Sequence, residues 1–279
     1  MKINKIEPHG YCGGVTYALK MANDYINKEN VYMIGKIIHN DIVCNDLEKK
    51  GIIIKTNSKI DAINEINNGT VIFTAHGTDE AIINMAKSKQ LNVVDTTCKK
   101  VNVVKDNIKK HLNTSTILYI GVKNHPECEA ILSISPNIIL INDINDVYNL
   151  DKNINYYITN QTTLSLLKLK EIYSYIENNF TNVIIDNKIC LATTRRQQAV
   201  LDCSADCIIV IGDKKSSNTN ELYNIAKTKC DSYLITNYLE LPNLEKYNNI
   251  KITSGASTPE YLVDETINHI NTIYKHHIH

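Results

Sequence analysis

The 279-residue sequence has no tryptophan, only two phenylalanines and no long apolar segment. No stretch approaches the roughly 20 apolar residues that a membrane-spanning helix needs. The N-terminus, "MKINKIEPHGYCGG", also lacks the apolar core of a signal peptide and the Arg- and Ser-rich character of a transit peptide. We therefore expect a cytoplasmic protein without a membrane partner, or a chain cut from a longer precursor. We assign no role to the histidines of the C-terminal "YKHHIH".

The sequence also lacks a charge imbalance. Lys and Arg together number 30, as do Asp and Glu, so nothing predicts long-range attraction to nucleic acid. The phosphate-binding patterns G-x-x-x-x-G-K-[ST] and G-x-G-x-x-G do not occur. Nucleotide and dinucleotide binding thus lose their usual sequence support, and we predict no nucleic-acid partner.

Cysteine is present eight times but never in a C-x-x-C pair. That absence weakens the case for a zinc-ribbon or thioredoxin-type site. In a chain of this length with no export signal, thiols are expected to stay reduced. The cysteines therefore need an explanation other than disulfide bonds.

Short β-branched runs alternate with amphipathic helical patterns along the whole chain. This alternation predicts an α/β fold with parallel strands. The predicted strands are Val31–Ile34, Val71–Thr74, Thr116–Ile120, Tyr156–Thr159, Ile208–Ile211 and Ile250–Thr253. The predicted helices are Val15–Ile26, Glu80–Ser88, Val101–Leu112, Leu166–Asn178, Asn220–Lys227 and Glu260–Ile273.

Nine polar clusters mostly follow these strands. They are "HGYCGG", "IIHN", "TAHGT", "DTTC", "NHPE", "NQTTLS", "CLATTRRQ", "GDKKSSNTN" and "SGASTPE". In open α/β sheets, ligands bind beyond the carboxyl ends of the strands. So many polar clusters at such positions exceed what chain connections require, which indicates a binding site.

Three of the cysteines, Cys12, Cys98 and Cys190, each stand close to the predicted start of a helix. A helix N-terminus stabilises a thiolate, and thiolates are the ligands of iron–sulfur clusters. Three thiols on three α/β lobes suit a 4Fe–4S cluster with one iron left for substrate. The alternative is that they are small buried apolar residues, as free cysteine often is. We expect the other cysteines to be structural: Cys44, Cys128, Cys203, Cys207 and Cys230.

Several other polar residues are suited to bind or act on a phosphorylated ligand. The loop histidines His39, His76 and His125 can donate to phosphate oxygens, although a loop histidine is more often a surface or capping residue. Hydroxyls and amides ahead of a helix form an anion site or simply cap it; these residues are Ser216, Ser217, Asn218 and Ser257.

A proton relay is suggested by Glu127 and Thr162. Glu127 lies at the start of a predicted helix beside His125, where a carboxyl group can deliver protons to a substrate. Thr162 and Thr163, which follow Gln161, can extend that path through their hydroxyls. The alternatives are a first-turn acid favoured by the helix dipole and a threonine that caps the next helix.

Taken in order, the nine clusters closely resemble the motifs of the LytB/IspH family, the 4-hydroxy-3-methylbut-2-enyl diphosphate reductases of the non-mevalonate isoprenoid route. The resemblance implies three small α/β lobes in pseudo-threefold arrangement around a central iron–sulfur cluster. We place the lobes at residues 1–98, with the N-terminal strand, 99–190 and 191–279. It also implies that Cys12, Cys98 and Cys190 hold one 4Fe–4S cluster per chain.

The resemblance further implies residue roles and a reaction. His39, His76, His125, Thr162, Ser216, Ser217, Asn218 and Ser257 fall on substrate contacts, and Glu127, assisted by Thr162, falls on the proton-delivery position. The implied reaction removes the allylic hydroxyl of the substrate with two electrons and two protons, giving isopentenyl and dimethylallyl diphosphate. Ferredoxin or flavodoxin is the implied electron donor, and we expect a monomer or a weak homodimer.

Two other functions remain open at this point. A hydro-lyase would use the same open cluster corner without net reduction. A non-catalytic relative would bind a diphosphate or sense redox state, although the complete set of candidate residues argues against it.

Overall fold

The computed structural model describes residues 1–274. The C-terminal histidines His276, His277 and His279 lie outside this range. Within it, the chain forms three four-stranded sheets, and all of their strand pairings are parallel. The predicted α/β class with three lobes is confirmed.

The strands are short, as expected for a parallel sheet in a protein of this size. In chain order they are β1 Lys2–Lys5, β2 Val31–Ile34, β3 Ile53–Lys55, β4 Thr70–Phe73, β5 Asn92–Asp95, β6 Thr116–Ile120, β7 Ile139–Ile141, β8 Tyr156–Asn160, β9 Val183–Asp186, β10 Cys207–Ile211, β11 Asp231–Ile235 and β12 Asn249–Ser254.

Helices connect nearly all of these strands. They are α1 Gly13–Asn23, α2 Asp41–Lys49, α3 Lys59–Glu65, α4 Glu80–Ser88, α5 Lys99–His111, α6 Pro126–Leu132, α7 Asn145–Tyr148, α8 Leu166–Asn179, α9 Leu191–Asp202, α10 Ser217–Lys227 and α11 Glu260–Tyr274. Side-chain caps fix the N-termini of several helices: Asp79 accepts from Ala81 N ahead of α4, and Ser165 accepts from Lys168 N ahead of α8.

In the part of the chain that the structure describes, no helix is long and apolar enough to span a membrane.

The chain divides into two compact units. Unit 1 comprises Met1–Gly13, His39–Asp41 and the chain from Leu191 onward, and unit 2 comprises Gly14–Ile38 and Ile42–Cys190. Unit 1 contains the sheet with strand order β1-β12-β10-β11. Ile6, Val200, Ile208, Val210 and Leu222 belong to the buried cluster at its centre.

The position of β1 differs from the predicted boundaries. We expected the N-terminal strand in the lobe of residues 1–98, but Ile3 pairs with Ile250 and Lys5 with Ile252 of β12. The physical reason is that β12 has an open edge, and pairing there lets Ile6 join the core of unit 1. The boundaries at residues 98 and 190 stay a prediction.

Unit 2 contains two sheets, with strand orders β3-β2-β4-β5 and β7-β6-β8-β9. Their central strands are apolar on both faces, and every residue of β8 is buried. Each of the nine polar clusters of the sequence lies at or after the carboxyl end of a strand, in one unit or the other. The fold therefore places each cluster where parallel sheets bind ligands.

Candidate active site

In unit 1, the first turn of α10 lies directly against the carboxyl ends of β10 and β12. Ser216 is the N-cap and accepts a hydrogen bond from Thr219 N at 3.3 Å. A side chain at Gly255 would place its Cβ 2.0 Å from Thr219 Oγ1, so only glycine permits this approach. The sequence "SGAS" thus brings the loop after β12 onto the helix N-terminus, where backbone N–H groups favour an anion.

Asn218 is oriented by this loop. Its Oδ1 accepts from Ala256 N at 2.9 Å, which fixes the direction of its amide group. The side chain is only 4% exposed, and its Nδ2 has no hydrogen-bond partner within residues 1–274. A buried donor without a partner is costly, so Asn218 is suited to donate to a ligand.

The His39 segment is attached to the same loop. Asn40 donates from Nδ2 to Ser257 O at 3.0 Å, and Ser257 donates from Oγ to His39 O at 3.0 Å. The backbone N–H of Asp41 donates to Asp213 Oδ2 at 3.3 Å. Cys12 joins this group through its N–H, which donates to Ala256 O at 3.1 Å.

In unit 2, two histidines lie together at the ends of neighbouring loops. The rings of His76 and His125 are 5.7 Å apart between centroids and meet edge to face. His125 is the N-cap of α6, and its Nδ1 accepts from Glu127 N at 3.1 Å. Since an amide can only donate, the proton of the neutral His125 ring lies on Nε2, which makes Nε2 a donor.

Glu127 is a buried carboxyl group with three hydrogen bonds. Its Oε1 accepts from Thr162 N at 2.8 Å and from Tyr119 Oη at 3.4 Å, and its Oε2 lies 2.8 Å from Thr162 Oγ1. Burial raises the pKa of Glu127 to about 7, although the hydrogen bonds from Thr162 and Tyr119 oppose that rise. A carboxyl group with a pKa near neutrality can both hold and release a proton under physiological conditions.

Cys98 and Cys190 also belong to unit 2, and both are half-buried. Cys98 is the N-cap of α5, and its N–H donates to Ala75 O at 3.0 Å, next to His76. Cys190 donates its N–H to Thr162 O at 2.8 Å. Backbone contacts therefore tie each cysteine to a segment that carries another candidate residue.

Four of the five remaining cysteines are poor thiolates. Burial raises the pKa of Cys128 to about 11 and that of Cys207 to about 12, and it also raises the pKa of Cys203 and Cys230. The fifth, Cys44, is buried, and its Sγ donates to Ile38 O at 3.7 Å. These environments agree with the structural role expected for the five.

No group of three or more His, Cys, Asp or Glu side chains surrounds a single metal-ion position in residues 1–274. A mononuclear metal site is thus not indicated within that range. A cluster of several iron atoms is wider and needs thiolates that stand farther apart.

Comparison with known proteins decides the family. The model of the LytB protein family matches residues 3–271. The chain belongs to the LytB family. Two curated LytB relatives carry the name 4-hydroxy-3-methylbut-2-enyl diphosphate reductase. The protein from Macrococcus caseolyticus is 37% identical, over 97% of this chain and 89% of its own length. The protein from Malacoplasma penetrans is 39% identical, over 96% of both.

Solved structures of LytB proteins share the fold. The reductase from Plasmodium falciparum gives a TM-score of 0.89 at 31% identity, over 96% of this chain and 87% of the other. A second structure, described as the terminal enzyme of the non-mevalonate pathway, gives a TM-score of 0.70 at 28% identity, over 97% and 99% of the two chains.

In this LytB chain the predicted site residues form two groups, one in each unit. Unit 1 holds Cys12, His39, Ser216, Ser217, Asn218 and Ser257, and unit 2 holds His76, Cys98, His125, Glu127, Thr162 and Cys190. Within each group, short-range contacts connect most of the members.

Three LytB residues with a place in these groups were missed from the sequence. Asn40 and Asp213 hold the His39 segment, and Tyr119 contacts Glu127. Asn40 and Asp213 lie within the clusters "IIHN" and "GDKKSSNTN", but no feature of those clusters assigns either residue a role. A tyrosine in a buried strand reads as ordinary core, so nothing in the sequence singled it out.

Proposed function

We propose that this chain is a 4-hydroxy-3-methylbut-2-enyl diphosphate reductase, the last enzyme of the non-mevalonate isoprenoid pathway. The substrate is (E)-4-hydroxy-3-methylbut-2-enyl diphosphate, and the products are isopentenyl diphosphate and dimethylallyl diphosphate. The allylic carbon–oxygen bond breaks, two electrons and two protons are taken up, and the oxygen leaves as water. One proton completes that water and the other ends on carbon.

The observation that carries the proposal is the pair formed by Glu127 and Thr162. A buried carboxyl group whose pKa lies near 7 stands 2.8 Å from a hydroxyl group. Protonated Glu127 donates to Thr162 Oγ1 while that hydroxyl passes its own proton to the leaving oxygen. This step supplies the proton that completes the departing water, in a chain whose residues 3–271 match the LytB model.

The diphosphate is bound in this proposal by the donors of unit 1. Ser216, Ser217 and the N–H groups of α10 supply an anion site, and the Nδ2 of Asn218 is a buried donor that lacks a partner within residues 1–274. Ser257 and His39 complete this set. His76 and the Nε2–H of His125 act as further donors to the substrate.

The donor chemistry of Cys12, Cys98 and Cys190 fits a 4Fe–4S cluster. All three are half-buried and none forms a disulfide bond within residues 1–274, and Cys98 caps a helix whose dipole stabilises a thiolate. When bound, the cluster supplies the two electrons in single steps and a Lewis-acidic iron for the substrate hydroxyl. We infer that ferredoxin or flavodoxin is the electron donor and that the enzyme works in the cytoplasm as a monomer or weak homodimer.

An anaerobic assay of the reconstituted full chain tests the function. We expect conversion of the allylic diphosphate to both products only when a one-electron reductant is present. Formation of a hydrated product without reductant would identify a hydro-lyase instead. Diphosphate binding with no conversion under either condition would identify a non-catalytic relative.

The cofactor is tested in the same preparation with Cys98→Ser. We expect this variant to lose the visible absorbance and most of the iron and sulfide of the cluster. Cys230→Ser, which changes another half-buried free cysteine, is the matched control and should keep both. Undiminished cluster absorbance in Cys98→Ser would remove Cys98 from the ligand set.

A further inference from the structure

Tyr119 is a fully buried tyrosine whose hydroxyl group faces a single partner. The side chain lies on β6 and is 0% exposed, and within residues 1–274 its hydroxyl hydrogen-bonds to Glu127 Oε1 at 3.4 Å. The ring occupies the space beside Gly121, where an added Cβ would lie 2.8 Å from Tyr119 Cε1. The absence of a side chain at Gly121 therefore leaves the room that the Tyr119 ring occupies.

The two oxygens of Glu127 are not equivalent. Oε1 accepts from the N–H of Thr162 and from the hydroxyl of Tyr119. An amide N–H cannot accept a proton. Burial raises the pKa of Tyr119 well above its usual value, so its hydroxyl stays protonated, and within residues 1–274 Glu127 Oε1 is the one acceptor for that proton. A proton on Oε1 would leave the buried Tyr119 O–H without an acceptor, which is costly. The proton of neutral Glu127 is therefore held on Oε2, the oxygen that faces Thr162 Oγ1.

We propose that Tyr119 is a positioning residue of the reductase: its buried hydroxyl occupies Oε1 of Glu127, so that the transferable proton stays on Oε2 and faces the hydroxyl of Thr162. This inference rests on the proposed function, because it assumes that Glu127 supplies a proton to the substrate. It adds a residue that touches neither substrate nor cofactor and acts only through Glu127.

Other polar groups around Glu127 do not duplicate this contact. His125 Nδ1 accepts a hydrogen bond from the backbone N–H of Glu127 and does not bond to its carboxyl group. The pKa of Cys128, the next residue of α6, is raised by burial and by Glu127 itself. The groups that face Glu127 or its partners from the surrounding elements are Tyr119 of β6, Tyr173 of α8, His125 and Cys128 of α6, and Thr162 after β8.

Tyr119→Phe tests the proposal because it removes only the hydroxyl. Without this donor the ionised carboxyl group is less stable, so the pKa of Glu127 rises. Since the enzyme needs protonated Glu127, the alkaline limb of the kcat profile should move upward by about 0.5–1 pH unit. Below that limb, kcat should fall by about three- to tenfold with KM unchanged, because the proton is no longer confined to Oε2.

The control is Tyr173→Phe, which removes the hydroxyl of a second buried tyrosine in unit 2. That hydroxyl donates to Asn160 Oδ1 at 2.7 Å and not to Glu127. We expect its kcat profile to keep the wild-type alkaline limb. An equal displacement in both variants, or an unmoved limb in Tyr119→Phe, would overturn the proposal.

A second measurement does not depend on turnover. In the full chain without reconstituted cluster, the carboxyl carbon of Glu127 is followed by NMR against pH, with Glu127→Gln used for assignment. Tyr119→Phe should raise the titration midpoint by about the same 0.5–1 unit. An unchanged midpoint contradicts the role of Tyr119, whereas a raised midpoint in a protein without reductase activity contradicts the proposed function alone.

Discussion

At the scale of single residues, Glu127 shows how burial selects a protonation state. The carboxyl group is 2% exposed and has no cation among the causes of its raised pKa. A salt-bridged carboxylate would instead have a lowered pKa and would hold no proton near neutrality. The same burial that suits Glu127 to proton delivery must therefore make it costly to stability when it ionises.

This cost predicts a pH dependence of folding. The unfolded chain ionises Glu127 at its ordinary pKa of 4.5, whereas the folded chain does so at about 7. The folded state therefore binds more protons between these values, and the free energy of unfolding falls as pH rises through this window. The loss is about 3 kcal/mol by pH 8.

Urea unfolding of wild type and Glu127→Gln at pH 4.5 and pH 8 measures this loss. Glutamine keeps a donor and an acceptor in place of the neutral carboxyl group but cannot ionise, so the variant should be the more stable protein at pH 8. Glu129→Gln, at an exposed position of the same helix, should show the wild-type pH dependence. Equal pH dependence in wild type and Glu127→Gln would mean that Glu127 is not buried as described.

At the scale of elements, the strands predicted from the sequence are the central strands of each sheet, and the edge strands were not predicted. The six strands predicted from apolar runs are β2, β4, β6, β8, β10 and β12, the two central strands of every sheet. Central parallel strands are buried on both faces and read as continuous apolar runs. Some edge strands are more polar, as in "KINK" of β1 and "DSYLI" of β11, so their sequences resemble loops, and others are only three residues long, as in "ILI" of β7.

The His39 segment is held against the loop after β12 by hydrogen bonds to Ser257. Ser257 has one hydroxyl proton, and its Oγ donates that proton to His39 O in a 3.0 Å hydrogen bond. To donate to a diphosphate, that hydroxyl must turn away from His39. The bonds from Asn40 Nδ2 to Ser257 O and from Asp41 N to Asp213 Oδ2 then keep the segment in place.

We therefore predict that Asn40→Ala weakens diphosphate binding. Asn40 is 3% exposed, and losing its bond to Ser257 O should raise the Kd for inorganic diphosphate by about five- to thirtyfold, equivalent to about 1–2 kcal/mol. Titration calorimetry of the full chain measures it. Asn178→Ala, on an exposed part of α8, should bind as wild type does, and a wild-type Kd in Asn40→Ala would show that the segment needs no such support.

At the scale of the whole molecule, the sequence indicates candidate site residues but not which of them lie together. Each motif was visible because a strand end, a helix start and a chemically distinctive side chain coincide within a few residues. Grouping depends on contacts across long sequence separations, such as Cys12 N to Ala256 O. No local pattern encodes these contacts, and the misplacement of β1 has the same cause.

Deleting residues 1–5 tests how far unit 1 depends on β1. The deletion removes all four β1 residues that pair with β12 and leaves on that edge, among the described residues, only the bond from Ile6 N to Ile252 O, so amides of β12 should exchange with solvent at least tenfold faster. Amides of β4, β6 and β8 in unit 2 serve as the internal reference and should keep their protection. Unchanged exchange in β12 would show that its pairing with β10 alone is sufficient.

The pairing of β1 with β12 also orders events during biosynthesis. Translation proceeds from the N-terminus, so the first strand leaves the ribosome long before residues 249–254 exist. Unit 2 ends at Cys190 and can fold while the remainder is still being made. Residues 2–5 must wait as an unpaired strand until β12 has been synthesised, and during that interval chaperones have a short segment with a lysine at each end to protect.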